Sequence, residues 1–283
     1  MRKGLPAKLA LTDADDTRYD FRNLVVSNAD GSPRGGVTAP VGTNLVTGTA
    51  TMYASVGSFA AVAVRDGGVI LLANDGPVNV LIDAAPVSNS RWDLICARQD
   101  DASSTVTTPD ADNLAKLYVV KGTAGATPAV PALPAGSVEV GRVLVTAGDT
   151  NTNAMVIAQT QIYTVGSGGV VPFRTLGDLN AWIAGSDFGT PQAGQLGRVF
   201  SDGPSNGTYF YDSGAWARNQ KVCSGVVTGV AIVGNGTLRT LTITFPPGFF
   251  RLPPRVTGSA ADSRLTFGYN PGSITKDSMT FYL

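Results

Sequence analysis

The sequence predicts an all-β protein: β-sandwich domains with one short helix and a small β-meander between them. Three observations carry this. Short stretches alternate apolar and polar residues at the strand period of two. Turn dipeptides recur between them: Asp30-Gly31, Asp66-Gly67, Asp75-Gly76, Asp202-Gly203, Asn206-Gly207 and Asn235-Gly236. Only one segment shows helical spacing. Asp-Gly and Asn-Gly tolerate the positive φ that tight hairpin turns demand, so each is read as a candidate hairpin turn. At 283 residues, the length suggests about two domains and is ample for a buried core.

Val78, Val80 and Ile82 alternate with Asn79, Leu81 and Asp83. Trp92, Leu94 and Cys96 share one face of a strand, Leu117 and Val119 alternate with Lys116 and Tyr118, and Val143 and Val145 continue the series. Turn signals spaced this closely read as a sandwich or barrel. Pro128, Pro131 and Pro134 fall every third residue, the polyproline II period, and predict an extended loop over Thr123–Gly136. These strands make residues 1–165 the N-terminal body.

Gly166-Ser167-Gly168-Gly169 reads as a flexible joint opening a middle module, 166–220. Thr175 and Asp178 have the form of a capping box. Leu176, Leu179 and Ile183 follow at helical spacing, and Gly185 suits the residue after the helix. About ten residues of helix are expected. Leu196–Trp216 then reads as a three-stranded meander, with Tyr209 and Tyr211 on one face and Phe210 on the other. So small a sheet needs support, from Trp182 or from a neighbouring chain.

Residues 221–283 form the C-terminal tip. Val226–Val233 is expected to pair through Asn235-Gly236 with Leu238–Phe245, in which Leu241, Ile243 and Phe245 alternate with threonines. Leu265, Phe267 and Tyr269 make another strand face, and Met279, Phe281 and Leu283 a last one.

Composition narrows the chemistry. There is no histidine and a single glutamate, Glu139. Neither Ser-His-Asp nor Cys-His catalysis can be built, and no pair of aspartates is singled out for glycoside hydrolysis. The chain is read as a non-enzyme without a cofactor. Net charge is zero and no long basic run exists, which argues against nucleic acid as a partner. The uncharged run Val222–Leu238 is rich in glycine and fits a hairpin better than a membrane span. No apolar run follows Met1-Arg2-Lys3, so no signal peptide is read. Cys96 and Cys223 lie far apart; a bridge is compatible with the sequence, and two free thiols are the reading preferred.

No metal is expected. Asp13, Asp15, Asp16 and Asp20 cluster near the start and could attract calcium, but read as a solvated loop. Asp149–Asn153 begins like a calcium loop and fails at Ala154 and Thr160, where glycine and glutamate are required.

Several segments, taken together, resemble tail fibre and minor tail proteins of tailed bacteriophages. Ser90-Arg91-Trp92-Asp93-Leu94-Ile95-Cys96-Ala97-Arg98 is similar to an Arg-x-Asp-apolar-apolar-x-Ala-Arg strand of that family, with Trp92 where Ile or Val is usual. Val119-Val120-Lys121-Gly122-Thr123-Ala124, Pro131-Ala132-Leu133-Pro134 and Arg142-Val143-Leu144-Val145-Thr146-Ala147-Gly148 follow in the family's order. The cadence Gly207, Tyr209, Tyr211, Asp212, Gly214, Trp216 resembles a small module of phage tail proteins. Ile243–Phe250 with Pro253-Pro254-Arg255-Val256 looks like H-type lectin-like domains, without recognisable sugar-binding residues.

The resemblance implies a virion component made in the host cytoplasm, assembled as a homotrimer with other tail or baseplate proteins, that attaches to a host-surface glycan or other receptor without membrane insertion. It places the receptor contact at the tip, where Phe267, Tyr269 and Tyr282 are the candidate residues. The alternatives are a purely structural baseplate component and a stand-alone lectin-like module.

Overall fold

The computed structural model describes residues 14–100, 114–183 and 189–218, together with the backbone of strands at 240–244, 268–269 and 278–282. The chain divides into two compact units, Met1–Asn219 and Gln220–Leu283. The described residues are mostly strands, nearly all antiparallel, with two short α-helices.

Three sheets build the body of the first unit. The first holds β1 (Gly36–Ala39), β4 (Phe59–Arg65) and β5 (Gly68–Asn74), in the order β1-β4-β5. The second holds β2 (Val46–Thr47), β3 (Tyr53–Val56) and β6 (Val78–Leu81), in that order. The third runs β10-β9-β7-β8, with β7 at Ser90–Gln99, β8 at Ala115–Val120, β9 at Val138–Thr146 and β10 at Val156–Ala158. All three contribute to one core that includes Val37, Ala54, Val56, Phe59, Ile70, Leu72, Val80, Ile82, Ile95, Val140, Val143 and Val145. The architecture is sandwich-like, and each fully buried large aliphatic side chain contributes about 1.5–3 kcal/mol.

Asp66-Gly67 joins β4 to β5 as a two-residue turn with φ of 52° and 76°, the geometry expected of such a pair. Ser213-Gly214 does the same at 51° and 85°. Asp30-Gly31 lies in a tight turn that Gly31 N closes on Asn28 O at 2.9 Å, and the remaining dipeptides behave differently. Asp202-Gly203 opens a 3-10 turn and Asn206 is extended. Asp75-Gly76 carries the chain from one sheet to another, and Asn235-Gly236 lies outside the described residues.

In strand β7, Trp92, Leu94 and Cys96 alternate along one face, and the face turned to the shared core carries Ile95 and Ala97. Leu94 and Cys96 are buried as well, so both faces of β7 are covered. A bulge in β9 breaks the alternation of that strand. Ile95 pairs with Gly141 and Cys96 with Glu139, leaving Val140 as the extra residue. The inward positions therefore pass from Val138 and Val140 to Val143 and Val145.

The segment at Asp15–Asp20 is a helix, not a loop: α1 spans Ala14–Phe21. Asp15 and Asp16 sit in its first turn, where the helix dipole favours negative charge. Its close approach to β5 depends on Gly68, whose added Cβ would lie 2.8 Å from the Cβ of Arg18.

The second half of this unit is a four-stranded sheet: β11 (Val171–Phe173), β12 (Leu196–Val199), β13 (Gly207–Asp212) and β14 (Ala215–Arg218). The meander is present as expected, with β11 added in parallel to β12. Helix α2, Leu176–Ile183, makes the crossover between them. Its capping box is formed: the Thr175 amide donates to Asp178 Oδ2 (3.0 Å) and the Asp178 amide to Thr175 Oγ1 (3.1 Å). Gly185 lies outside the described residues. Trp182 supports the sheet, with Phe173 and Trp216 each 5.8 Å away between ring centroids. Gly166–Gly169 is not a free joint. Ser167 N donates to Leu24 O, and Gly169 N closes a turn on Gly166 O, both at 3.0 Å.

In the second unit, β15 (Thr240–Thr244), β16 (Gly268–Tyr269) and β17 (Ser278–Tyr282) form an antiparallel sheet in the order β15-β17-β16. The expected partner strand at Val226–Val233 lies outside the described residues.

Candidate functional site

Two of the three candidate receptor residues fall on described strands. Tyr269 ends β16 and pairs with Phe281, while Tyr282 ends β17 between Thr240 and Gly268. These register positions have opposite parity, so the backbone does not bring Tyr269 and Tyr282 onto one face of the sheet. Phe267 lies outside the described residues.

Three of the segments that resemble tail proteins come together in one sheet. Leu94–Gln99 pairs with Ala115–Val120 on one side, and Ser90–Ala97 pairs with Val138–Thr146 on the other. Strands β8 and β9 flank β7, so the chain between them must pass from one side of β7 to the other. It does so past the Ser90 end, where Gly125 bridges to Ser90. Gly122 is required at this crossing, since a Cβ there would lie 2.1 Å from the Trp92 carbonyl oxygen.

At this end of the sheet, Arg91 and Asp93 form a buried ion pair, at 2 % and 0 % exposure. Arg91 Nε donates to Asp93 Oδ1 (2.9 Å), and Nη2 donates to Oδ2 (3.0 Å). The same guanidinium donates to the carbonyls of Ala84 (2.9 Å) and Asp83 (2.7 Å). Asp93 Oδ1 also accepts from Gly122 N at 3.1 Å. The pair therefore ties together the loop after β6, the strand β7 and the end of β8. Its hydrogen bonds go to the protein's own backbone, which makes it a structural clasp.

A second polar cluster joins the body to the helix-and-meander half. Arg34 is buried, lies 4.2 Å from the Trp182 ring centroid, and donates to Tyr163 O at 3.2 Å. Burial pushes its guanidinium down to about 10. The Tyr163 hydroxyl accepts from Arg174 Nη2 (3.0 Å) and from Gly42 N (3.2 Å). Trp182 Nε1 donates to Asn28 Oδ1 at 2.9 Å. Sequence spacing gave no sign of this junction, because its members are scattered between Asn28 and Trp182.

The groups capable of chemistry are held in structural roles. Cys96 is a free, buried thiol that burial pushes up to about 11, so it is a weak nucleophile. Cys223 lies outside the described residues. Glu139 accepts a two-pronged contact from Arg142 (2.7 and 3.0 Å) and a hydrogen bond from the Thr160 hydroxyl. Asp15 pairs with Arg18 at 3.2 Å. Asn151 caps a 3-10 turn, and Thr152 donates to Tyr53 O, so Asp149–Asn153 is a fastened turn. Among the described residues, no three His, Cys, Asp or Glu side chains gather as a metal-holding group. No described helix is long and apolar enough to cross a membrane.

Among the described residues one concavity is an open groove of about 550 Å³, lined by Leu72, Val78, Val80 and Leu117 together with Asn74 and Lys116. The class that fold and site define is an all-β protein of sandwich-like character. No protein-family model matches the chain, and no curated protein or solved structure is significantly similar to it.

Proposed function

We propose that the chain is a structural component of a bacteriophage tail tip or fibre that mediates attachment to the host cell surface. In this reading it is a virion protein, a homotrimer docked on other tail proteins, and its role is contact without catalysis. The receptor is a cell-wall or surface glycan. The observation that supports the reading is the sheet of β7, β8 and β9. Three of the segments that resemble tail proteins, 90–98, 119–124 and 142–148, fall on or at the ends of neighbouring strands of one sheet. That is what a shared scaffold requires and what a chance run of similar words does not.

The test is binding of the fluorescently labelled full-length chain to intact cells of a panel of bacteria. Variants Tyr269→Ala, Tyr282→Ala and Phe267→Ala run beside it. Strain-selective binding that one of these variants weakens, at unchanged melting temperature, is the expected result. Binding that none of them weakens would remove the contact from these aromatics and leave the attachment role. No binding to any strain by a folded oligomer would overturn the attachment role in favour of a purely structural tail component.

A further inference from the structure

An aspartate or asparagine followed by glycine is open to a spontaneous reaction. The glycine amide, with no Cβ beside it, can reach the preceding side-chain carbonyl carbon and close a five-membered ring. Six such pairs occur in the chain, of which Asn235-Gly236 lies outside the described residues. The fold treats the other five unequally.

Four of them are held. Asp30 Oδ1 accepts from Ser32 N (2.9 Å) and from Ser32 Oγ (2.6 Å), and Gly31 N donates to Asn28 O at 2.9 Å. Asp66 is fixed at a φ of 52° in the turn from β4 to β5, 3.9 Å from Arg65 Nε, and Arg22 Nη1 donates to the Gly67 carbonyl at 3.2 Å. Asp202 Oδ2 accepts from Leu176 N at 2.9 Å. Asn206 Oδ1 accepts from Asp202 N at 2.7 Å, and Gly207 is paired opposite Val199. In each of these pairs, ring closure must first release a hydrogen bond or a paired backbone.

Asp75-Gly76 has no such restraint. Asp75 is exposed, and among the described residues its carboxylate makes no hydrogen bond or ion pair. The Gly76 amide makes no backbone hydrogen bond among those residues, and a Cβ added at Gly76 would meet nothing within 4 Å. The passage is pinned only at its feet. Asn74 Nδ2 donates to Gly57 O at 2.7 Å, and Val78 pairs with Val56.

We propose that Asp75-Gly76 is a site of spontaneous modification, where aspartate converts to isoaspartate through a succinimide. Gly76 N bonds to Asp75 Cγ, and the carboxyl hydroxyl leaves with the amide proton as water. A second water opens the ring. Attack at the main-chain carbonyl leaves Gly76 joined through Cγ, with one more carbon in the backbone and a free α-carboxylate. Attack at Cγ restores aspartate. The extra atom enters a surface passage whose two feet are fixed, so the registers of β5 and β6 are kept. The site is independent of the attachment role.

The test incubates the folded full chain at physiological temperature and about pH 5, where an ordinary aspartate still holds a share of the acid form that loses water. Peptide mapping reads isoaspartate at residues 30, 66, 75 and 202, and a parallel sample in denaturant gives the rate of each unrestrained pair. The expected result is isoaspartate at residue 75 at close to its denatured rate. Asp30 and Asp202 are slowed about tenfold or more, the scale of one hydrogen bond to a charged group. Gly76→Val, for which there is room, blocks the product at an unchanged melting temperature. Isoaspartate at Asp30 or Asp202 as fast as at Asp75 in the folded chain overturns the inference. So does an Asp75 that reacts in denaturant and is as inert as the other pairs when folded.

Discussion

Replacing Asp93 by alanine tests whether the Arg-x-Asp strand is a clasp or a contact. In the folded protein the Asp93 carboxylate meets Arg91 at 2.9 and 3.0 Å and accepts the Gly122 amide at 3.1 Å. Both side chains are buried. Alanine would leave a guanidinium without its counter-charge in the interior, and breaking a buried pair in this way costs about 3–5 kcal/mol. For a unit of this size each kcal/mol moves the midpoint by about 2–4 °C, so a drop of roughly 6–20 °C is expected. Circular dichroism at a fixed scan rate would read it. The double replacement Arg91→Met with Asp93→Leu removes both charges and should lose much less, since apolar replacement of a whole buried pair is often neutral. A single variant losing less than about 1 kcal/mol would refute the clasp, because that is the scale of an exposed pair. If such a variant also lost cell binding, the strand would be a recognition element.

Three further outcomes are expected. Gly197→Ala should lower stability by about 1–3 kcal/mol through overpacking, because its Cβ would lie 2.7 Å from Leu179 and 3.1 Å from Phe173; thermal melting with tryptophan fluorescence checks this. Thr175→Ala should cost about 1 kcal/mol by removing the cap of α2, an effect readable as a small shift in urea midpoint and as faster exchange of the Asp178 amide. Cys96 should resist a thiol reagent at neutral pH in the folded protein. It should react once denaturant is added, because burial holds its thiol near 11; rapid labelling of Cys96 in the native state would contradict the packing of β7.

Local chemistry was readable in the sequence where one segment decides its own structure. Thr175 and Asp178 announce a helix start within four residues, and Asp66-Gly67 announces a turn between two apolar runs. Asp202-Gly203 and Asn206-Gly207 share one longer loop that joins β12 to β13 and is built on a 3-10 turn, so neither is a two-residue hairpin turn of its own. The inward positions of β9 were not readable from alternation, because one extra residue at Val140 shifts their parity and a bulge leaves no mark on composition. Helix α1 escaped notice because its dense aspartates suggest a solvated loop, while its place is secured by Gly68, some fifty residues away. As for the site, sequence named Phe267, Tyr269 and Tyr282 as candidates, and the register puts Tyr269 and Tyr282 at positions of opposite parity. The clasp and the Arg34 junction depend on long-range contacts to backbone carbonyls, which no spacing rule encodes.

The pairing of Gln99 with Ala115 has a practical consequence. The chain leaves β7 and re-enters β8 at adjacent points of one sheet, so the span between them closes on itself at its base. The entropic cost of closing such a span grows only with the logarithm of its length. Lengthening the chain between Gln99 and Ala115 therefore adds little closure cost to the scaffold. The other passage, from β8 to β9, has no such freedom, because it is threaded past β7 at Gly122. A library of insertions would be accepted at the first and rejected at the second, which makes the β7–β8 end the natural port for grafting a new binding specificity.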